Sequence, residues 1–170
     1  DYFGPFEILT KGSLDRAPEE ERLILTQLQG RFQENEINLI QGLILAKSND
    51  RYELKQVQLQ LGPGRLKAFG QFSPNHVSGE AILQDMPMKT LSLAGLPEFQ
   101  GSVSGDLTLS GRPEQPEARL QMHLKELRLE DTSYMNLPPA QAEMEIRYKN
   151  QKLQASLLGE GLSDRPLKAD

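Results

Sequence analysis

The stretch that decides the fold is Gly101-Ser102-Val103-Ser104-Gly105-Asp106-Leu107-Thr108-Leu109-Ser110-Gly111-Arg112-Pro113-Glu114-Gln115-Pro116-Glu117-Ala118-Arg119-Leu120-Gln121-Met122-His123-Leu124-Lys125. Its first half places Val103, Gly105, Leu107 and Leu109 at every second position, with Ser104, Asp106 and Thr108 between them. Its second half does the same with Ala118, Leu120, Met122 and Leu124 against Arg119, Gln121 and His123. Side chains of an extended strand point alternately to its two faces, so each half reads as a strand with one apolar and one polar face. Gly111-Arg112-Pro113 breaks the run between them and makes the pair a hairpin.

The same grammar extends in both directions. Upstream, Tyr52 and Leu54 alternate with Glu53 and Lys55, and after a slip in parity Val57, Leu59 and Leu61 alternate with Gln58 and Gln60. Leu66, Ala68, Gly70 and Phe72 follow beyond Gly62-Pro63-Gly64. Downstream, Ala142, Met144, Ile146 and Tyr148 alternate with Glu143, Glu145 and Arg147. Ser73-Pro74-Asn75, Leu137-Pro138-Pro139 and Lys149-Asn150-Gln151 supply further breaks. The pattern predicts ten strands, over 5–14, 22–33, 36–46, 51–61, 64–73, 76–84, 100–111, 116–130, 140–149 and 152–159. Short strands joined by tight turns mean an all-β protein built as an antiparallel meander. Helix is expected at two places only. One is a single turn at Ala17–Arg22. The other is a short helix over 86–95, opened by Pro87 and closed by Gly95, plugging one end of the sheet or crossing between sheet segments.

Ten strands of about ten residues make a sheet roughly 45–50 Å wide and ~30 Å along the strands. A twisted sheet of that width curls or splits into layers. Its apolar face needs a cover, and the sequence offers too few amphipathic helices to provide one. Fifteen glutamines, several at alternate positions such as Gln56, Gln58 and Gln60, fit a solvated polar face. Two arrangements satisfy this pattern: a closed β-sandwich serving protein interaction or adhesion, and an open trough lined by Leu, Val, Met and Ala.

Composition removes other classes. The 170 residues are one domain's worth, with 37% hydrophobic and 25% charged residues and a formal charge of −5. An acidic chain lacks the basic footprint of a nucleic-acid binder. With no cysteine there is no disulfide, no thiol nucleophile and no cysteine-ligated metal. The absence of Trp, with only six Phe and four Tyr, argues against stacking on glycans. The longest strongly apolar stretch, Ile37 to Ala46, is half the length of a membrane-spanning helix. The chain opens on Asp1-Tyr2-Phe3-Gly4 with no initiator Met, and reads as a piece of something longer.

No catalytic set emerges. His76 lies beside a turn and His123 on a polar strand face, 47 positions apart, so both read as surface histidines. Glu19-Glu20-Glu21 is a solvated turn. Glu143 and Glu145 share a polar strand face as a glycosidase pair would, but Arg147 stands next in line to neutralise them. Phosphate-loop, zinc-protease and serine-hydrolase signatures are missing. No metal and no cofactor is expected, and no enzymatic activity.

The Gly101–Leu120 segment, with Gly101, Gly105, Leu107, Leu109, Ser110, Gly111, Pro116 and Leu120, resembles a recurring segment of the TamB and AsmA-like family. So does Leu61–Gly70, where a tight turn leads into Gly64, Leu66 and Gly70. The resemblance is best over about 52–130. The aromatic, Gly-rich closing pattern of the family's C-terminus does not occur here, which implies an internal or partial segment, or a relative.

The resemblance implies a single β-taco segment over 1–170, a long sheet folded lengthwise around an apolar groove. It implies transport of phospholipid acyl chains between the membranes of a Gram-negative bacterium, and support of outer-membrane protein assembly. It also implies a periplasmic location, an inner-membrane anchor outside this sequence, and a TamA-like outer-membrane β-barrel partner. The candidate groove lining is Leu66, Ala68, Phe72, Val103, Leu107, Leu109, Leu120, Met122, Leu124, Met144, Ile146, Leu153, Ala155 and Leu157.

Overall fold

The computed structural model describes residues 7–32, 35–88, 99–129, 139–160 and 167–169. They form one sheet of twelve strands: β1 (Glu7–Ala17), β2 (Glu20–Phe32), β3 (Asn35–Gln41), β4 (Leu43–Ser48), β5 (Arg51–Leu61), β6 (Gly64–Ser73), β7 (His76–Pro87), β8 (Phe99–Arg112), β9 (Gln115–Leu129), β10 (Ala140–Lys149), β11 (Lys152–Glu160) and β12 (Leu167–Ala169). Each strand is antiparallel to its neighbours, and the order in space follows the order in sequence. β3 and β4 together fill one place, both lying between β2 and β5. The path runs open from β1 to β12. Among the described residues no helix is long and apolar enough to cross a membrane.

The antiparallel meander follows from the alternation, and the differences lie where local geometry intervenes. The expected strand over 36–46 is divided at Gly42. The helical turn expected at Ala17–Arg22 is a tight hairpin connection at Pro18-Glu19 instead, with Ala17 paired to Glu20. Proline presets the backbone angle a tight turn needs, which serves a hairpin as well as a helix start. The short helix expected over 86–95 is also corrected at its start. β7 continues through Met86 and Pro87, which pair with Val103 and Ser102, and only Met88 is in a 3₁₀ conformation. Residues 89–95 lie outside those described.

β-Bulges explain how β7 reaches that far. An extra residue between Leu83 and Met86 restores Met86 to the apolar face. Asp85 carries a positive φ of 46°, and its N–H donates to Ser104 Oγ at 2.9 Å. Similar slips occur between Leu54 and Val57, Gln100 and Ser102, and Ala140 and Ala142. Each keeps the apolar side chains on one face while bending the strand.

The best-packed region lies where these bent ends meet. Met86, Met88 and Val103 form a buried cluster against Leu61, Leu66, Leu83, Met122, Leu124 and Leu127. Gly64 makes the approach possible: a Cβ there would sit 2.7 Å from Met86 Cα. No other large core exists among the described residues, and none of their side chains is completely enclosed.

Candidate functional site

The strand register turns the alternation into rows that cross the sheet. One row reads Leu14, Leu23, Leu45, Leu54, Gly70, Gly79, Leu109, Ala118, Tyr148 and Leu153, each residue opposite the next. A second runs from Val57 through Ala68, Ala81, Leu107, Leu120 and Ile146 to Ala155. A third joins Leu39, Leu59, Leu66, Leu83, Gly105, Met122, Met144 and Leu157. A fourth carries Met86, Val103, Leu124, Ala142 and Gly159, continuing on the other side of Gly64 with Leu61 and Ile37.

All fourteen residues expected to line a groove therefore share one face. Leu109 and Leu153 belong to the first row, and Ala68, Leu107, Leu120, Ile146 and Ala155 to the second. Leu66, Met122, Met144 and Leu157 sit in the third, and Val103 and Leu124 in the fourth. Phe72 lies beyond the first row, opposite Tyr52 and Val77. The expectation omitted the β1–β5 part of the same face, including Leu14, Leu23, Leu45, Leu54 and Leu59. Alternation was visible in β5, but the register slips next to Lys11, Ile40 and Lys55 hide which parity belongs to the shared face.

Burial on this face is uneven. In the fourth row Val103 is 2% and Met86 5% exposed, whereas Ile37, Leu61, Leu124 and Ala142 are half-buried. Toward the opposite strand ends large apolar groups face solvent: Leu107 at 38%, Phe72 at 46% and Leu153 at 69%. Leu14, Leu23, Leu45 and Tyr52 are exposed as well. Exposed apolar residues scattered singly are ordinary, whereas a contiguous series of them marks an interaction surface.

A last row closes the face at the tight-hairpin end: Arg16, Glu21, Lys47, Tyr52, Phe72, Val77 and Gly111. Lys47 Nζ sits 5.9 Å from the centre of the Tyr52 ring, and the Tyr52 and Phe72 rings are 6.5 Å apart. Arg16 and Glu21 face each other at 3.7 Å.

The other face is polar and laced with charge pairs. Glu145 Oε1 accepts from Arg147 Nε and Arg119 Nε, both at 2.8 Å. These two hydrogen bonds, Arg147's first, hold its carboxyl below the usual carboxylate range. Glu143 instead lies 3.4 Å from His123 Nδ1. Lys149 reaches Glu117 at 3.1 Å, and Gln58 donates to Gln41 at 2.8 Å. The two carboxylates thus have different basic partners, and Glu145 is occupied by two arginines. Depressions on this face, such as one between Thr108, Arg119, Arg147 and Gln154, are lined largely by charged and polar side chains.

The chain matches the family TamB, N-terminal domain, over residues 7–157. No curated protein and no solved structure matches the chain.

Proposed function

Since this chain belongs to the TamB N-terminal domain family, we propose that its apolar face shields phospholipid acyl chains in transit between two membranes. The sheet would curve lengthwise into a taco, the apolar rows forming the inside of a groove. The rows cross successive strands, so a chain passing from one strand to the next meets similar Leu, Val, Met and Ala surfaces. Transfer of each CH₂ from water into such a surface is worth about 0.8 kcal/mol. Several methylenes hold a chain, and a lining with no single deep pocket lets it move on.

In this reading the protein is a carrier without catalytic chemistry or cofactor. It works in the periplasm of a Gram-negative bacterium, tethered to the inner membrane by a segment outside this sequence. A TamA-like β-barrel in the outer membrane is its partner, and outer-membrane protein assembly depends on it.

The supporting observation is the run of half-exposed apolar residues, Leu107, Phe72, Leu153 and Leu157 among them, on a face with no second layer over it among the described residues. Native mass spectrometry of the purified protein tests it, followed by lipid extraction. Phospholipid should co-purify, leave on detergent exchange, and be absent from a Leu107→Arg variant. Leu107 is exposed enough for that variant to keep the strand signature in circular dichroism. A lipid-free monomer with a fully cooperative melt would overturn the proposal in favour of a closed interaction module.

A further inference from the structure

We propose that the outer edge of β1 is a pairing surface for a second copy of this chain. The two β1 strands run antiparallel across a two-fold axis at Ser13, and the two sheets join into one. The proposal is independent of lipid binding.

The edge comes first. β1 pairs along its whole length with β2, and among the described residues nothing pairs with its other side. The register slip next to Lys11 and Gly12 sets the extra residue, Thr26, into β2, so β1 itself is unbulged. From Ile8 to Ala17 every residue is exposed, and Pro18 follows the strand without interrupting it. Such an edge offers a row of backbone N–H and C=O groups to another strand. Edges are commonly blunted by bulges, proline, short length or charge, and β1 has only the last. The other end of the sheet differs, because β12 covers Leu157–Gly159 of β11.

The charges select the partner. A two-fold axis perpendicular to the sheet keeps the apolar faces of both copies on one side, provided that it passes through a residue. With the axis at Lys11, the two lysines meet each other. With the axis at Gly12, Leu9 meets the second copy's Asp15, and Ile8 meets its Arg16. With the axis at Ser13, Lys11 meets the second copy's Asp15 on both sides of the axis, and Leu9 meets its Ala17. Opposite charges directly across an antiparallel pair are stabilising, and like charges the reverse. Neither Lys11 nor Asp15 has an ion pair among the described residues. Arg22, opposite Asp15 on β2, is held by Glu20. The free stretch of β11, Lys152–Ser156, has no acid to offer a copy of itself.

The same register joins the apolar faces. Exposed Leu14 comes opposite the second copy's Gly12, so the first row runs from Leu23 and Leu14 into that copy's Leu25 and Leu43.

The absence of cysteine allows a direct test on the full chain. Sedimentation velocity should show a reversible monomer–dimer equilibrium. Amide exchange in β1 should slow as concentration rises, with β8 unchanged. Ser13→Cys, at an exposed position, should form a disulfide-linked dimer under mild oxidation, since the two thiols stand directly opposite. Leu9→Cys should not, because it lies about 27 Å from its own copy at ~3.4 Å per residue. Lys11→Asp should weaken the dimer about tenfold, the substitution counting twice across the axis. Adding Asp15→Lys to it should restore the dimer. A protein that stays monomeric at all concentrations overturns the proposal. So does a dimer in which Ser13→Cys fails to cross-link or the double reversal fails to rescue. Assemblies that grow beyond the dimer would overturn it in favour of a head-to-tail contact between β1 and β11.

Discussion

Glu145 shows how the polar face is held without a core beneath it. Its carboxylate serves two arginines, Arg147 on its own strand and Arg119 on β9, and its depressed pKa states how it couples to folding. A carboxyl whose folded pKa is lowered adds stability above its unfolded pKa, about 4.3, and loses it as pH falls through the folded value. Glu145→Gln should therefore melt below the parent at pH 7, with the gap closing as melts are repeated down to pH 3. A constant gap across that range would mean that the charge is irrelevant and only shape matters. The sequence made part of this legible: the spacing of Glu143, Glu145 and Arg147 put an arginine within reach of Glu145. Arg119 could not be foreseen, because only the β9–β10 register brings a residue 26 positions away against Glu145.

At the scale of elements, the turns are where sequence and structure agree best and where the chain leaves stability unused. The β10–β11 hairpin closes on Asn150 and Gln151, both at positive φ, 53° and 59°. Two-residue hairpins of this hand favour Asn followed by Gly, and a left-handed non-glycine residue costs about 1–2 kcal/mol. Gln151→Gly should recover up to about 1 kcal/mol, a rise of about 2–4 °C in melting temperature for a chain of this size. A lower melting temperature would show that the turn relaxes in solution.

Alternation, with the turn signals, found nine of the strands singly and took β3 and β4 together as one. It missed the division of the third at Gly42 because the partners of β3 and β4, not their composition, separate them. It misread Met86–Pro87 because Pro near an apolar run is also a helix-start signal, and the bulge beside Asp85 is written in backbone angles rather than residue types. β12, three residues long, is too short to show any period.

For the whole molecule, the candidate surface was half visible. The β6–β11 lining residues followed directly from parity. Its extension onto β1–β5 had to wait for the register, since three slips scramble parity there. The uneven burial was out of reach altogether, because residues of the same type and period are buried at one place and exposed at another.

Connectivity also sets how the protein unfolds. Each strand pairs only with its immediate neighbours in the path, the condition under which stability becomes a sum of local and nearest-neighbour terms. Amide hydrogen exchange should then show protection highest in β7, β8 and β9 around Val103 and falling toward β1, in place of one global value. Uniform protection across the sheet would indicate a cooperative core that the burial pattern does not contain. Phospholipid bound to the folded form should raise the melting temperature in proportion to the logarithm of its concentration once binding is saturated.

The sequential strand order has an evolutionary consequence. Inserting one strand would reverse every later strand and send the remaining chain out of the opposite end of the sheet. Inserting a hairpin changes neither direction nor parity. Gene duplication can therefore lengthen or shorten such a sheet only in even steps, and the unit on which selection acts is the strand pair with its turn.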